Sequence, residues 1–310
     1  MSMIRFENVT KKYDDKAAVK EVDLQVRDGE FLVLIGPSGC GKTTMLKMMN
    51  RLIPLTTGTI YINDKRISDY NINELRWNIG YVLQQIALFP HLTIEENIAI
   101  VPELKKWERS RINDRIKELM QLAGLDYDTY KGKLPEALSG GQQQRIGVIR
   151  ALAADPDILL MDEPFSALDP ISRVKLQDEL IAIQKEIKKT IVFVTHDMQE
   201  ALKLADRICL LRDGEIVQVG TPQEIVNNPK NDFVKAFIKG EVFHISDLIK
   251  PLGDFIATTT VSDTDSLEEI LKALTEHEII QVKSGDDILG ILERDDVYQE
   301  VAKELENVGG

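Results

Sequence analysis

The feature that most constrains this chain is a glycine-rich segment, residues 36–43, which fits the pattern G-x-x-x-x-G-K-[ST]. The apolar run Phe31–Ile35 precedes it, and a helical pattern follows from about Lys42. In such a loop the backbone N–H groups point at an anion, and side chains in place of the glycines would obstruct that approach. The segment therefore predicts a phosphate-binding loop between a strand and a helix.

The polar groups of this loop have separate predicted roles. Lys42 supplies positive charge for the β- and γ-phosphates of a nucleotide, and Thr43 places its hydroxyl on Mg²⁺, which prefers oxygen ligands. The segment thus indicates a nucleotide with Mg²⁺ as the cofactors. The predicted nucleotide-binding residues in and beside the loop are Gly36, Pro37, Ser38, Gly39, Cys40, Gly41, Lys42, Thr43 and Thr44.

A second apolar run, residues 158–161, delivers two carboxylates at its end, Asp162 and Glu163. In parallel sheets, binding sites form at the edge where the strands end. We interpret Asp162 as the group that holds the metal, indirectly through water, and Glu163 as the group that polarises the attacking water. When this segment is considered alone, the alternative interpretation is that the two acids simply begin a loop and have no catalytic role.

Apolar strand patterns alternate with helical patterns along residues 31–211, which predicts a mainly parallel α/β sheet. Residues 22–26 alternate between apolar and polar, and a turn at Gly29 leads from them into Phe31–Ile35. This arrangement predicts a β-hairpin between the two strands. Further strands are predicted at residues 81–83, 158–161, 191–194 and 207–211.

The charge of the chain is concentrated at its end. Of the net −13, residues 241–310 contribute −12, since they hold five Lys and Arg against 17 Asp and Glu. This shift predicts a domain boundary, with one domain over residues 1–240 and an acidic module over residues 241–310. Because binders of nucleic acid neutralise phosphates with clustered Lys and Arg, we expect no nucleic acid among the partners.

Composition excludes several further classes. No window approaches 18 consecutive apolar residues, and the charged N-terminus lacks the apolar stretch of a signal peptide, so we expect a chain without a membrane span that stays in the cytoplasm. The two cysteines, Cys40 and Cys209, have no C-x-x-C spacing. We interpret them as reduced thiols rather than as a disulfide or a metal site.

Residues 138–142 read Leu-Ser-Gly-Gly-Gln, and with this string the chain closely resembles the ATP-binding cassette (ABC) ATPases, whose signature it is. It lies between the phosphate-binding loop and Asp162, in the order of that family. The resemblance covers roughly residues 3–230 and implies a P-loop NTPase fold with an antiparallel β subdomain and a helical subdomain. The other matching residues are Tyr13 in KKY, Gln84 in YVLQ, Asp169 in SALD and His196 in VTH.

The resemblance implies how these residues act in ATP hydrolysis. Lys42 and His196 stabilise the phosphate, Glu163 and Gln84 manage the water, and Gln84 also belongs to the metal site. Transfer of a phosphoryl group to water needs positioning and charge stabilisation more than covalent help. Tyr13 stacks on adenine. The resemblance also implies a homodimer in which one subunit binds the nucleotide that the opposite subunit holds. The residues assigned to this contact are Ser139, Gly140, Gly141 and Gln142. Asp169 completes the predicted nucleotide-binding residues.

For three of these residues, a role outside catalysis and nucleotide binding stays open as an alternative. Tyr13 is alternatively a turn aromatic, Gln84 a solvated side chain, and His196 a residue that caps a helix. The competing functional class is a module that binds ATP without hydrolysing it. The presence of Glu163 argues against this class, because an inactive cassette would most easily lose that carboxylate.

A single cassette without a membrane span is predicted to be the motor of separate permease subunits. The segment from Gln84 to Pro102 resembles bacterial importers of quaternary amines such as glycine betaine, carnitine and choline, which implies a substrate-binding protein and a location at the cytoplasmic face of the membrane. Leu88, Phe89 and Pro90 are then predicted to contact the permease, with packing inside the chain as the alternative. Import of another small solute, or a soluble ATPase of DNA repair or translation, is the alternative function.

Residues 256–306 resemble one cystathionine-β-synthase (CBS) motif, a β-α-β-β-α unit usually found in pairs, which implies pairing with a second subunit. Glu293 stands where versions that bind nucleotides carry Thr or Ser, although Asp296 is kept. A carboxylate at that position would repel a phosphate. The acidity of the module suggests a response to ionic strength, and a solvated surface that aids solubility is the alternative.

Overall fold

The computed structural model describes residues 2–14, 16–37, 39–84, 86–166, 168, 170–240, 248–250, 259–262, 267–284 and 287–299. The chain divides into two units, Met1–Lys230 and Asn231–Gly310. Within the described residues, no helix has both the length and the apolar character needed to cross a membrane. Cys40 and Cys209 are free, buried thiols, and burial raises the pKa of Cys209 to about 12.

The first sheet is antiparallel and has the strand order β2-β1-β4-β5. In β2 the burial alternates, with Val22, Leu24 and Val26 buried and their neighbours exposed, because successive side chains of a strand point to opposite faces. One face of this sheet therefore packs on the core and the other faces water. Its strands are β1 (Ser2–Tyr13), β2 (Lys16–Arg27), β4 (Thr57–Ile62) and β5 (Lys65–Arg66).

The second sheet is mainly parallel, with the strand order β10-β9-β3-β8-β7-β6 and one antiparallel strand, β10, at its edge. The predicted hairpin is wrong: β2 pairs with β1, whereas β3 lies between β8 and β9. All five residues of β3 are buried, as a central strand covered on both faces requires. The strands are β3 (Phe31–Ile35), β6 (Ile79–Val82), β7 (Ile158–Asp162), β8 (Thr190–Val194), β9 (Arg207–Arg212) and β10 (Glu215–Gly220).

Helices cover this sheet and form a helical subdomain between β6 and β7. In α4 the buried residues Ile112, Ile116, Leu119 and Met120 recur at helical spacing, which gives the helix one apolar face. The first helices are α1 (Lys42–Met49), α2 (Ile72–Trp77), α3 (Ile94–Leu104), α4 (Arg109–Leu122) and α5 (Tyr127–Tyr130). They are followed by α6 (Gly140–Leu152), α7 (Pro170–Ile187), α8 (Met198–Leu204) and α9 (Pro222–Asn227).

The second unit has its own sheet, in which β11 pairs with β12 in parallel and β12 pairs with β13 in antiparallel. Its core includes Ile270, Leu274, Ile280 and Leu292. The order of elements, strand-helix-strand-strand-helix, is the predicted one, while residues 256–258, 263–266, 285–286 and 300–306 of the predicted unit lie outside the described residues. The elements are α10 (Asp232–Gly240), β11 (Thr260–Ser262), α11 (Leu267–Glu276), β12 (Ile279–Ser284), β13 (Asp287–Glu293) and a helix over 294–299.

Candidate functional site

The phosphate-binding loop joins β3 to α1, and two of its glycines are required by close backbone contacts. A Cβ at Gly36 would lie 2.2 Å from the carbonyl oxygen of Leu211, and a Cβ at Gly41 would lie 2.5 Å from that of Ala18. Both residues have a positive φ, 153° and 107°, which side chains disfavour. The loop is therefore held close to its neighbours, and glycine is required at both positions. Ser38 lies outside the described residues.

Lys42 is the first residue of α1 and directs its ammonium back into the loop. Its Nζ donates hydrogen bonds to the carbonyl oxygens of Gly36, at 2.7 Å, and Pro37, at 3.0 Å. The side chain is 6% exposed, and α1 begins without a capping side chain. A buried cation beside the uncapped N–H groups of a helix is a suitable site for a phosphate. Thr44, in the first turn of α1, is half-buried.

Asp162 ends β7 and receives a hydrogen bond on each carboxylate oxygen. The Thr43 hydroxyl donates to Oδ1 at 2.8 Å, and the Tyr81 hydroxyl donates to Oδ2 at 3.3 Å. Burial raises the pKa of the Asp162 carboxyl, and the charge of Glu163 raises it further. The structure thus brings together Thr43 and Asp162, two of the three predicted metal-site residues, from distant parts of the chain.

The donor set fits Mg²⁺. Thr43 and Asp162 offer hard oxygen ligands, and Mg²⁺ is usually held by one or two protein oxygens together with substrate phosphates. In the part of the chain that the structure describes, no cluster of three or more His, Cys, Asp or Glu could hold a metal by itself. A metal held at this pair would complete its coordination with the phosphates of a nucleotide and with water.

Glu163 and His196 form a pair at the ends of β7 and β8. His196 Nδ1 lies 3.2 Å from Glu163 Oε2, and this hydrogen bond lowers the pKa of the Glu163 carboxyl and raises the pKa of the His196 imidazole. Glu163 has a φ of 44°, and its N–H donates to the carbonyl oxygen of Val194 at 3.0 Å. The left-handed backbone therefore turns the carboxylate out of the strand, towards the adjacent strand end.

A buried glutamate supports the segment that carries His196. Glu200, in α8, accepts hydrogen bonds from the hydroxyl of Thr195 at 2.6 Å and from Gln177 at 3.1 Å. Burial raises the pKa of the Glu200 carboxyl. Sequence reasoning missed both Glu200 and Tyr81, because their partners are set by the packing of neighbouring elements and no motif marks them.

The signature segment begins α6. Ser139 caps the helix, since its hydroxyl accepts from the Gln142 N–H at 3.3 Å while Gln142 Oε1 accepts from the Ser139 N–H at 3.0 Å. Gln142 also donates to the Tyr130 hydroxyl at 3.0 Å. Within the described residues, none of these side-chain bonds reaches the phosphate-binding loop. The segment therefore forms a second, separate polar surface.

The glycines of this segment have room around them. A Cβ at Gly140 would meet no atom within 4 Å, and a Cβ at Gly141 would lie 3.9 Å from Ser172, an ordinary contact distance. Neither residue has a positive φ, in contrast to Gly36 and Gly41. Nothing within the described chain therefore requires glycine at either position.

The remaining predicted residues lie at the edges of the site. Tyr13, at the end of β1, is 48% exposed, with the Lys11 ammonium 4.8 Å from its ring centre. Gln84 is exposed, two residues beyond the end of β6, the strand next to β7. Asp169 lies outside the described residues.

A groove of about 380 Å³, here called the α3–α6 groove, is lined in part by Leu83, the residue before Gln84. Phe89 lines it and is 46% exposed, and Pro90 is also exposed, but Leu88 is only 8% exposed. The prediction that Leu88 contacts a permease is therefore wrong, because its side chain packs inside the chain. The groove is lined by Asn50, Arg76, Trp77, Ile79, Gly80, Tyr81, Leu83, Ala87, Phe89, Ile100, Val101, Arg150, Ala151 and Ala154.

Residues 19–166 match the family described as ABC transporter. The chain is 55% identical over 240 residues to the glycine betaine/carnitine/choline transport ATP-binding protein OpuCA of Bacillus subtilis, a match that covers 77% of this chain and 63% of the relative. It is 49% identical over 298 residues to the carnitine transport ATP-binding protein OpuCA of Listeria monocytogenes, covering 94% of this chain and 75% of the relative.

A solved structure gives the same picture of the fold. The dimeric structure of the ATP-binding cassette MJ0796 in a post-hydrolysis state, bound to ADP and Pi, is 37% identical and has a TM-score of 0.64. The structural alignment covers 71% of this chain and 99% of the solved chain. The chain spans less than two thirds of the length of the Bacillus relative.

Proposed function

Because the chain belongs to the family of ABC transporter ATP-binding proteins, we propose that it hydrolyses ATP with Mg²⁺ to drive an importer of quaternary amines such as glycine betaine, carnitine or choline. The names of its relatives support this cargo class. On this proposal the chain works as a homodimer at the cytoplasmic face of the membrane, together with permease subunits and a substrate-binding protein.

The observation that carries the proposal is the open space at Gly140 and Gly141. Glycine costs stability in a helix, so two adjacent glycines at a helix N-terminus, which no contact within the described chain requires, support a close approach from outside it at that end. They stand at the N-terminus of α6, where N–H groups and the helix dipole favour an anion. We infer that the ligand is the γ-phosphate of ATP held by a second copy, so that each active site needs two chains.

The roles of the residues follow from their positions. The N–H groups of the phosphate-binding loop and the Lys42 ammonium hold the phosphates, while Tyr13 stacks on the base. Thr43 and Asp162, with Gln84, would hold Mg²⁺, which neutralises the charge of the phosphates when it is bound. Glu163, whose carboxyl pKa is lowered by the hydrogen bond with His196, orients the attacking water. His196 stabilises the charge that develops on the transferred phosphate.

Proteoliposomes that contain this chain, its permease and its substrate-binding protein test the proposed function. We expect them to accumulate labelled glycine betaine, carnitine or choline only when ATP is present at the side of this chain. Uptake of a different solute would replace the proposed cargo. Hydrolysis of ATP without any association with a permease would favour the soluble alternative.

We propose that a permease segment docks in the α3–α6 groove, whose apolar wall includes Leu83, Phe89 and Val101. Phe89→Asp should abolish copurification with the permease and uptake, because a charge would be buried in an apolar contact. ATP binding should be retained. Val226→Asp is the matched control, since Val226 is similarly exposed, at 44%, but lies in α9. Equal copurification of both variants would contradict the assignment.

For the acidic module we propose a CBS-like unit, over residues 241–310, that pairs with its counterpart in the second subunit. The observed order of strands and helices supports it. The Lys250 ammonium lies 3.1 Å from Glu293 and 2.6 Å from Asp296, so both carboxylates that bear on nucleotide binding already have a cation beside them. Residues 241–247 and 251–258 lie outside the described residues.

Two interpretations of the module make different predictions. If paired acidic modules respond to ionic strength, deleting residues 241–310 should flatten the salt dependence of uptake in proteoliposomes. The reason is that the screening length falls from about 30 Å at 0.01 M salt to about 8 Å at 0.15 M. An unchanged salt profile at equal protein content would leave the solvated surface as the explanation.

A further inference from the structure

Tyr81 belongs both to the surroundings of Asp162 and to the lining of the α3–α6 groove. Its hydroxyl donates to Asp162 Oδ2 at 3.3 Å, and the residue is also one of those that line the α3–α6 groove. Tyr81 lies in β6, which pairs in parallel with β7, the strand that ends at Asp162. One half-buried residue is therefore shared by the groove and the proposed metal site.

The two hydroxyls on Asp162 restrict how its carboxylate can turn. Thr43 occupies Oδ1 and Tyr81 occupies Oδ2, while Asp162 itself is 7% exposed. A buried carboxylate oxygen that loses its donor is left unsatisfied, which costs more than the bond is worth between exposed groups. Without the Tyr81 hydroxyl, the Asp162 carboxylate would have to rotate for its Oδ2 to find another hydrogen-bond donor. The tyrosine thus holds the orientation in which Asp162 faces Thr43.

The wall of the groove around Tyr81 is closely packed. A Cβ at the preceding residue, Gly80, would lie 2.5 Å from the carbonyl oxygen of Ala151 in α6. Arg150, also in α6, donates to the carbonyl oxygen of Ala87 at 2.7 Å across the groove. Because β6 packs directly on α6 at Gly80, the backbone that carries Tyr81 has little room to move at this wall of the groove.

We propose that Tyr81 is a positioning residue that makes the orientation of the Asp162 carboxylate depend on what occupies the α3–α6 groove. This inference rests on the proposed function, in which Asp162 serves Mg²⁺ and a permease segment fills the groove. Docking at the groove then changes metal binding through the Tyr81 hydroxyl, in addition to any effect through Gln84.

The first test measures metal affinity without turnover. Mn²⁺ binding to the chain saturated with a non-hydrolysable ATP analogue is followed by electron paramagnetic resonance. Tyr81→Phe should raise the Kd of Mn²⁺ roughly tenfold, as loss of a hydrogen bond to a metal ligand commonly does. The Kd of the analogue without metal should stay within about a factor of two. Tyr70→Phe is the control, because it removes a hydroxyl that donates to the backbone carbonyl of Ile62 instead.

The second test measures the dependence on the groove. In wild type, the Kd of Mn²⁺ should differ by at least about fivefold between the free chain and the chain assembled with its permease. In Tyr81→Phe this difference should disappear. A difference that persists in the variant, or its absence in wild type, would overturn the link. If Tyr81→Phe does not give folded protein, Tyr81→Met removes the hydroxyl and keeps apolar volume.

The outcomes separate this inference from the proposed function. A wild-type chain that binds no Mn²⁺ together with the ATP analogue would refute the proposed function itself. Normal Mn²⁺ binding in wild type with the same Kd in Tyr81→Phe would refute only the role of Tyr81.

Discussion

Glu163→Gln is expected to bind ATP normally, to accumulate as a dimer with nucleotide enclosed between the two chains, and to hydrolyse ATP about 10²–10⁴-fold more slowly. The amide keeps an oxygen that can accept the hydrogen bond from His196, so the backbone turn at residue 163, with its φ of 44°, is unaffected. What is lost is the negative charge that orients and polarises water. Turnover of purified protein and its mass in solution with ATP measure the two effects.

Glu215→Gln is a matched control for this change, because it replaces the same charge in β10, where the carboxylate lies 3.5 Å from Lys20. It should hydrolyse ATP at the wild-type rate and should not trap a dimer. Near-normal turnover of purified Glu163→Gln would show that Glu163 does not act on the water. Slow turnover without a trapped dimer would contradict the proposed shared site.

Gly141→Ala is expected to separate folding from dimer formation. Because a Cβ at this position meets only Ser172, at 3.9 Å, and the residue lies in a helix, the free energy of unfolding should stay the same or rise by up to about 1 kcal/mol. The ATP-driven dimer should nevertheless weaken at least about tenfold, since a methyl group would intrude between the start of α6 and the phosphate of the other subunit. Denaturant unfolding and analytical ultracentrifugation of a slow-hydrolysis background such as Glu163→Gln measure the two effects.

Gly147→Ala provides the comparison within the same helix. A Cβ at Gly147 also meets no atom within 4 Å, so the two substitutions should have similar effects on the free energy of unfolding. Only Gly141→Ala should weaken the dimer. A Gly141→Ala variant that dimerises as well as Gly147→Ala would remove the main support for a phosphate bound between two chains.

Much of the site could be predicted from the sequence because its parts are contiguous. The loop of residues 36–43 carries its own strand and helix on either side, and Asp162 and Glu163 follow directly on an apolar run. Since parallel strands end at one edge of a sheet, the pairing of Thr43 with Asp162 and of Glu163 with His196 follows once the strands are recognised. The predicted hairpin between β2 and β3 is wrong because a local pattern shows that a strand forms but not which strand it pairs with.

By itself the sequence determined that this chain builds a phosphate-binding loop, places two acids at the end of a parallel strand, and carries its excess negative charge in the last part of the chain. Only the tertiary structure decided that Tyr81 holds Asp162, that Leu88 is buried, and that glycine is required at Gly36 by the carbonyl of Leu211 but by no neighbour at Gly140. The physical reason is distance along the chain: a motif records the groups that chemistry needs next to each other, whereas these contacts join residues that only packing brings together.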